Sequence, residues 1–383
     1  MLLQTCILLF IVLFYTPQAY AQEYGWGTTI ENETKKVKIG GRLQAILVQD
    51  SETEAQDFYL RRTRLNLEYK PWAGHTFVYD IRNDGANSGD DGEKTFNIGD
   101  AYWKIDLNKN TINNIKLFRA KVDVSYSQTS SSKNLFNPQR AEVSEHASDF
   151  VVHNRRAVNA QINGNIENLA YQIVISDGVN SENLSALSGD KISEVNYQKL
   201  TYGSKIRYFF IGDAKKNKAQ DTFYGLYDTF SLGLGFFAND KINVDNSNNS
   251  TGLQEFSFNR KLTNLDLSYS YKNFRLLAEY FEFSGDLIDL EALNKEDIVG
   301  ESSGYYTQLE YVFGKWAPYI IYENFDKNKD ADSAIQTITT VGINFYQRLE
   351  ATRFGIAHKS TKNAKDIGDN SFESIYGYFM LNF

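Results

Sequence analysis

Basic side chains at alternate positions are the residues of this sequence best suited to chemistry with a solute. Arg62 and Arg64 are two residues apart, as are Arg119 and Lys121, so each pair shares one face of an extended chain. Guanidinium and ammonium groups only donate hydrogen bonds and hold a positive charge, which attracts anions. The pattern predicts a basic surface that lines a water-filled passage. The other candidates of this kind are Arg42, Lys133, Arg140 and Arg155.

The same cations have a second interpretation. They could form ion pairs with carboxylates such as Glu68 and Asp80 and brace a wall without selecting any solute. Sequence alone leaves both interpretations open, because unpaired charge in a water-filled pore costs little free energy.

Catalysis is the less favoured use of the polar residues. No HExxH, GxSxG, GxGxxG or Walker-type motif occurs, and the four histidines lie on separate segments except for one pair. His146 and His153 share a stretch with Glu142, Glu145 and Asp149, which could form a metal or acid–base cluster. A solvated polar loop is the favoured interpretation. We expect no enzyme activity, no metal and no cofactor.

Composition narrows the class of protein. The chain has 383 residues, a net charge of −8, 25 Tyr and 26 Phe, and a mean hydropathy of −0.45. The acidic balance argues against a nucleic-acid partner. Many aromatic residues at negative mean hydropathy are typical of a membrane barrel, in which only every second side chain faces lipid.

The first residues predict export. Residues 1–21 hold an apolar run and end in Ala19-Tyr20-Ala21, a small-x-small pattern that favours cleavage after Ala21. Cys6 is the only cysteine and lies in this leader, so the mature chain has no disulfide. We expect residues 22–36 to form an N-terminal periplasmic segment and residues 37–383 to form a transmembrane barrel.

Period-two alternation recurs along that whole region. In the last segment, Ile375, Phe379 and Phe383 fall on an apolar face, and Tyr376 and Tyr378 fall on the other. We predict sixteen strands, near 37–47, 58–69, 75–82, 97–107, 115–125, 155–163, 167–176, 195–210, 222–238, 253–271, 274–283, 302–313, 316–326, 335–346, 350–359 and 371–383.

The connections between these strands alternate in length. Short ones such as Lys272-Asn273 and Gly314-Lys315 alternate with longer ones rich in Asp, Asn, Ser and Gly. An even strand count with short turns on one rim and long loops on the other indicates an all-β, antiparallel, up-and-down barrel in a bacterial outer membrane, with periplasmic turns and extracellular loops. We expect the last strand to pair with the first, so that no sheet edge remains.

A barrel of this size encloses a channel that wall side chains cannot fill, so something must narrow it. The longest connection, residues 126–154, is the candidate for an inward-folded constriction loop. Its apolar pair Leu135 and Phe136 could hold it against the wall, and Glu142 and Glu145 give it negative charge.

Several stretches resemble one known family, the phosphate-selective porins O and P. They are Gly40-Gly41-Arg42-Leu43-Gln44, the run from Phe58 to Glu68, Gly99-Asp100-Ala101-Tyr102-Trp103, the stretch from Leu117 through Ser130 to Phe136, and Ser176-Asp177-Gly178. The resemblance implies a homotrimer of sixteen-stranded barrels, a third loop that folds inward, and anion-conducting basic residues at Arg62, Arg64, Arg119, Lys121 and Lys133. It also implies that Phe383 acts as a signal to the barrel-assembly machinery. Glu142, Glu145 and the acidic net charge depart from a phosphate-specific pattern.

The favoured function is passive diffusion of small hydrophilic solutes across the outer membrane, with a preference for anions and phosphate as one candidate. Two alternatives stay open. One is an oligosaccharide channel in which Tyr376 and Tyr378 form a sliding track, and the other is a plugged barrel that serves as a surface binding or adhesion module. The expected partners are outer-membrane lipid, the solute, two further copies of the chain and the assembly machinery.

Overall fold

The structure is a computed structural model. It describes residues 28–31, 35–51, 56–86, 96–109, 111–129, 131, 134–151, 157–177, 194–215, 228–245, 255–285, 287–290, 301–329, 335–348, 351–363 and 371–383. The predicted signal peptide lies outside these residues. No helix among them is long and apolar enough to cross a membrane.

The described residues form nineteen strands and two short helices in one sheet that closes on itself. The strands are β1 (Thr28–Glu31), β2 (Lys36–Asp50), β3 (Gln56–Lys70), β4 (His75–Ala86), β5 (Asn97–Lys109), β6 (Ile112–Arg119), β7 (Val158–Ile166), β8 (Leu169–Ser176), β9 (Glu194–Gln198), β10 (Thr201–Ile211), β11 (Thr229–Asp245), β12 (Glu255–Tyr271), β13 (Phe274–Ser284), β14 (Leu287–Leu290), β15 (Ser302–Tyr311), β16 (Trp316–Asp326), β17 (Ile335–Arg348), β18 (Thr352–Asn363) and β19 (Ser371–Asn382). The helices are α1 (Tyr126–Thr129) and α2 (Glu142–Val151).

Sixteen of these strands make the wall, which confirms the predicted fold class and strand count. Three short strands extend it. β1 pairs with the start of β2, β9 precedes β10 and pairs with β11, and β14 follows β13 and pairs with β12. β1 lies within the segment 22–36 that we assigned to the periplasm.

Closure occurs between the last strand and the first wall strand. β19 pairs with β2 from Ser374 opposite Asp50 to Asn382 opposite Arg42, as predicted. Beyond that point the backbones of Phe383 and Gly41 exchange two hydrogen bonds of 2.7 and 3.1 Å. The terminal residue is therefore part of the ladder, and this edge of the sheet is paired to its end.

Alternation along each strand separates an outer face from the lumen. On β10, Ile206, Tyr208 and Phe210 are exposed on the outside, whereas Lys205 and Arg207 are buried inside. On β19, Ile375 points outward and Tyr376 and Tyr378 point inward. Apolar side chains thus face the lipid and polar ones face the interior.

Two local features differ from the predicted wall. The strand predicted at 115–125 ends at Arg119, because Ala120, Val122 and Val124 leave the wall and are buried in the interior. The pairing of β2 with β3 shifts register between Gln44 and Ala45 of β2, where β3 has the extra residue Arg61, and this bulge changes the phase of β3. Tyr59 therefore packs inside the barrel with the cluster that contains Tyr376.

Candidate functional site

Between Arg119 and Ala157, the described residues 120–129, 131 and 134–151 enter the barrel and cross its interior. The first part of this loop contacts Glu279 of β13. The Glu279 carboxylate accepts hydrogen bonds from the backbone N–H of Tyr126 at 2.9 Å and from Ser125 Oγ at 2.6 Å. The backbone N–H of Ser127 and the hydroxyl of Tyr306 donate to the same carboxylate. One buried acid therefore satisfies the first orphan donors of α1 and fixes its position.

An ion network holds the segment just before α1. Asp266 on β12 accepts from Arg207 at 3.4 Å and forms an ion pair with Lys205 at 2.9 Å, and Asp123 of the loop lies 3.6 Å from the Lys205 ammonium. The Arg207 guanidinium also lies 3.9 Å from the centre of the Tyr126 ring. Two cations and two carboxylates balance here, so these wall charges hold the loop.

Leu135 and Phe136 occupy the middle of the loop and are buried against the wall. The backbone carbonyl of Phe136 accepts hydrogen bonds from Asn344 Nδ2 at 2.9 Å and from the Tyr378 hydroxyl at 3.2 Å. Arg353 donates to the Leu135 carbonyl. The Phe136 ring lies beneath the Arg275 guanidinium, 4.3 Å from its centre. The apolar pair thus lies where β17, β18 and β19 meet the loop.

The helix α2 packs on an apolar part of the inner wall. Val143, Ala147 and Phe150 join a buried cluster with Phe281 and Phe283 of β13. Gly304 on β15 permits the close approach, because a Cβ there would lie 2.8 Å from a methyl group of Val143. Apolar residues on the lumen side of β13 are therefore explained by the helix that covers them.

His146 lies in this apolar cluster. Its ring centroid is 4.7 Å from that of Phe283, 5.1 Å from that of Phe325 and 5.6 Å from that of Phe150. Burial lowers the pKa of His146 to about 3, with smaller contributions from the positive charges of Arg260 and Lys327. His146 is neutral and does not join an acid–base cluster with Glu142 and Glu145. His153 lies outside the described residues, and no group that could hold a metal ion occurs within them.

The start of α2 is fixed by charged wall residues. The backbone N–H of Glu142 donates to Glu323 Oε2 of β16 at 2.7 Å. The Glu142 carboxylate in turn accepts from Lys359 of β18 at 3.3 Å. Glu142 therefore serves as a link between loop and wall, and Glu145 is the next acid along the helix.

The loop covers one half of the inner wall and leaves the other half accessible. Inward charges under the loop are almost fully buried, as for Lys205, Arg275 and Glu310, whose side chains are 0–4% exposed. Several inward charges on β3 to β5 keep contact with solvent: the Arg64 side chain is 14% exposed and the Lys104 side chain 34%, whereas Arg62 and Asp80 are 2% and 4% exposed. The remaining opening therefore lies between the loop and the wall strands β3 to β7.

Arginines form a row across this accessible half. Arg42 of β2 lies directly opposite Arg64 of β3, which lies opposite Arg82 of β4. Directly opposite residues share one face of a sheet, so all three point into the lumen. Asp84 binds Arg64 at 2.6 Å and lies 3.8 Å from Arg82. Arg140 of the loop adds positive charge close to Arg42.

Several predicted lining residues have partners in the structure. Arg42 donates to Asn382 Oδ1 at 2.7 Å and to Ser131 Oγ at 3.0 Å. Arg62 is 2% exposed and donates to Gln44 Oε1 at 2.6 Å and to the Pro138 carbonyl at 2.8 Å. Arg62 therefore lies beneath the loop and holds it.

Three placements correct or limit the predicted set. Arg119 lies on the outer face beside exposed Leu117, because Phe118 takes the inward position, so Arg119 does not line the lumen. Lys121 belongs to the loop and donates to Gln128 Oε1 at 2.6 Å. Lys133 and Arg155 lie outside the described residues.

The proposed aromatic track on β19 is also corrected. Tyr376 and Tyr378 do point inward, but they are only 1% and 5% exposed. The Tyr376 hydroxyl accepts from Asn137 Nδ2 at 2.6 Å, and Tyr378 bonds the Phe136 carbonyl. Both tyrosines hold the loop and cannot form a sliding surface for sugars.

Some lumen residues were not singled out from the sequence. Arg82, Lys104 and Lys116 point into the accessible half of the lumen, as their cross-strand positions show. In the sequence, each of them follows or precedes an outward apolar residue, namely Ile81, Trp103 or Leu117. This alternation could have identified them as inward residues. The same alternation assigns Arg119 to the outside once Phe118 is known to face inward.

Solved outer-membrane proteins share this fold. OmpF of Salmonella typhi, solved in complex with daunomycin, matches with a TM-score of 0.60 at 11% identity, over 93% of this chain and 100% of that chain. The outer-membrane channel DcaP of Acinetobacter baumannii gives 0.56 at 12% identity, over 92% and 99%. OmpT of Vibrio cholerae, in a trimer form, gives 0.57 at 9% identity, over 92% and 100%. At these identities the likeness shows the fold.

The family assignment comes from sequence. The search of curated proteins found no match. A family model described as "Phosphate-selective porin O and P" matches residues 37–383, which is the whole predicted barrel. The chain therefore belongs to the phosphate-selective porin O and P family, and it is an outer-membrane channel protein for small solutes.

Proposed function

We propose that the protein is an anion-preferring diffusion porin, whose solutes are small hydrophilic anions including phosphate. The observation that carries this proposal is the arginine row on the accessible half of the lumen. Arg42, Arg64 and Arg82 lie side by side, and Arg140 adds a further cation from the loop. Asp84 binds Arg64 directly, and the negative charges of Asp80 and Asp100 also act on Arg64. The four arginines outnumber these three carboxylates, so positive charge is in excess at the row.

The physical effect of this excess is a positive potential at the narrowest part of the lumen. A passing anion is attracted by several guanidinium groups in turn, whereas a cation is repelled. Because these groups border water, their attraction is strong enough to favour entry and weak enough to permit exit. The cluster is thus suited to conduction.

Partial exposure of the lumen charges supports an open passage over a plugged barrel. Lys104 and Asp106 on β5 are 34% and 30% exposed, although the loop crosses the interior. A barrel that served only as an adhesion module would not require solvent along this half of the wall. The burial of His146 among aromatic rings likewise favours a channel over an enzyme.

The assembly and the route of insertion are further parts of the proposal. We infer a homotrimer in outer-membrane lipid, as for the trimeric form of the Vibrio cholerae neighbour. The aromatic end of β19 at Phe383, which the family resemblance links to barrel assembly, would be the segment that the assembly machinery binds.

The test is the reversal potential of the mature protein in a planar bilayer under a tenfold KCl gradient. We expect stepwise conductance and a reversal potential of the sign set by chloride, and we expect phosphate to reduce the chloride current. Absence of conductance steps would support the plugged barrel, and a cation preference would refute the proposal.

A further inference from the structure

We propose that amide side chains on β6, β7 and β8, together with Lys116, form a second subsite in the lumen, for hydroxylated organic anions such as sugar phosphates. The inference rests on the proposed anion-preferring channel and names a substrate class for it. The anionic group would bind the ammonium of Lys116, and hydroxyl groups would bind the neighbouring amides.

The amides form one connected row. Asn163 Nδ2 donates to Asn114 Oδ1 at 2.8 Å, and Gln161 Nε2 donates to Asn163 Oδ1 at 2.5 Å and to Gln172 Oε1 at 3.4 Å. Gln172 Nε2 continues the row to the backbone carbonyl of Asp123 in the loop at 3.0 Å. These bonds orient each amide, so the row is preorganised for binding.

The row keeps unused hydrogen-bonding capacity. Within the described part of the chain, Gln161 Oε1 accepts no hydrogen bond and Asn114 Nδ2 donates none, and both residues are partly exposed to the lumen. An amide has two donor hydrogens and a carbonyl oxygen that accepts. A hydroxyl group both donates and accepts, and it therefore matches a surface that offers both functions side by side.

Lys116 places a positive charge next to this row. It lies directly opposite Gln161 across the β6–β7 pair, so the two side chains share the inner face. Its ammonium lies 4.1 Å from the centre of the Tyr102 ring and 4.4 Å from that of Phe118. No carboxylate among the described residues lies within ion-pair distance of it. Lys116 can thus offer its charge to a solute.

The subsite lies at a depth similar to that of the arginine row. Lys116 is four residues from the turn at the start of β6, Gln161 is five from the end of β7, and Arg64 is six from the end of β3. A difference of one or two residues corresponds to about 3–7 Å along a strand. A solute at the arginines therefore passes beside the amides.

An inorganic anion needs only the charges, so the amides distinguish a hydroxylated solute from a bare one. Two additional hydrogen bonds correspond to roughly a tenfold gain in affinity. The inference therefore predicts that a sugar phosphate binds in the channel more tightly than inorganic phosphate, and that unphosphorylated sugar binds weakly.

The experiment measures block of the chloride current through single channels by glucose 6-phosphate, inorganic phosphate and glucose. In the unaltered channel we expect glucose 6-phosphate to block at about tenfold lower concentration than phosphate. The double variant Gln161→Ala/Asn163→Ala should lose this advantage and keep the reversal potential. Lys116→Gln should weaken block by both phosphates. Gln336→Ala, which removes an amide on β17, is the matched control. It should change neither the block by the two phosphates nor the reversal potential.

Two results would overturn the inference while the proposed function stands. One is equal block by glucose 6-phosphate and inorganic phosphate in the unaltered channel. The other is a double variant that conducts normally and is still blocked by glucose 6-phosphate at a lower concentration than by phosphate. A cation preference in the unaltered channel would instead refute the proposed function. Migration of the unheated and heated variants on gels checks that each barrel is folded.

Discussion

The carboxylate of Glu279 on β13 accepts a 2.9 Å hydrogen bond from the backbone N–H of Tyr126, which lies 153 residues earlier in the chain. This contact joins the far wall of the barrel to the first turn of the inward loop. Because Ser125, Ser127 and Tyr306 bond the same carboxylate, one buried acid fixes the start of the loop.

Glu279→Leu should release the start of the loop. The change leaves buried donors without an acceptor, at about 1–3 kcal/mol for each unsatisfied group. We expect larger fluctuations of the single-channel current than in the unaltered protein. Glu282→Leu, an outward change on the same strand, is the control. A steady current in Glu279→Leu would show that other contacts suffice to hold the loop.

Arg64→Glu should weaken or reverse the anion preference. The change replaces a cation in the middle of the arginine row with a carboxylate beside Asp84, and the local potential becomes negative. We expect the chloride-to-potassium permeability ratio from reversal potentials to fall by about fivefold or more. Arg119→Glu should leave the ratio unaltered, because Arg119 lies on the outer face. An equal effect of the two changes would contradict the assignment.

Phe136→Ala should loosen the middle of the loop. Removing this buried ring from between Arg275 and Tyr319 destabilises the docked loop by roughly 3–5 kcal/mol. The hydrogen bonds of the Phe136 carbonyl remain and keep part of the docking. We expect faster amide hydrogen exchange over residues 134–151. Phe274→Ala removes an outward ring on β13 and should leave exchange in the loop unchanged. Exchange that stays slow in Phe136→Ala would exclude a role for this ring.

Acid should weaken the docking of α2 through His146. Its pKa in the docked state is about 3, below the ordinary 6.5, because burial disfavours the charged ring. Docking is therefore most stable above pH 6.5 and loses stability as the pH falls toward 3, by up to tenfold per pH unit. We expect current noise to rise on acidification, and to rise less in His146→Gln. Identical pH profiles of the two proteins would rule out His146 as the cause.

Loss of the terminal ring should affect assembly more than the folded barrel. Phe383 is 58% exposed on the outer face, and its ring covers Gly41, where a Cβ would lie 2.5 Å from it. In Phe383→Ala the two backbone bonds to Gly41 can persist, so the purified barrel should unfold at a similar denaturant concentration. The amount of protein that reaches the outer membrane of expressing cells should fall. Normal amounts there would argue against a role of the ring in assembly.

The sequence by itself determined the wall. Period-two alternation, tight turns at Lys272-Asn273 and Gly314-Lys315 and the apolar face of the last strand predicted a sixteen-stranded barrel that closes between β19 and β2, and the structure confirms this. These features are local, since an alternating strand between two turns has few alternatives once one face must meet lipid.

Only the tertiary structure decided which inward residues lie under the loop and which face the open half of the lumen. Tyr376, Tyr378 and Arg62 point inward as their alternation requires, yet the loop covers them. Arg119 was assigned to the wrong face because Phe118, Ala120 and Val122 look like a lipid-facing run but pack inside, as part of the cluster that contains α2. An apolar face is the same in sequence whether lipid or a folded loop covers it. The covering partner lies far away along the chain, and only the closed barrel brings the two together.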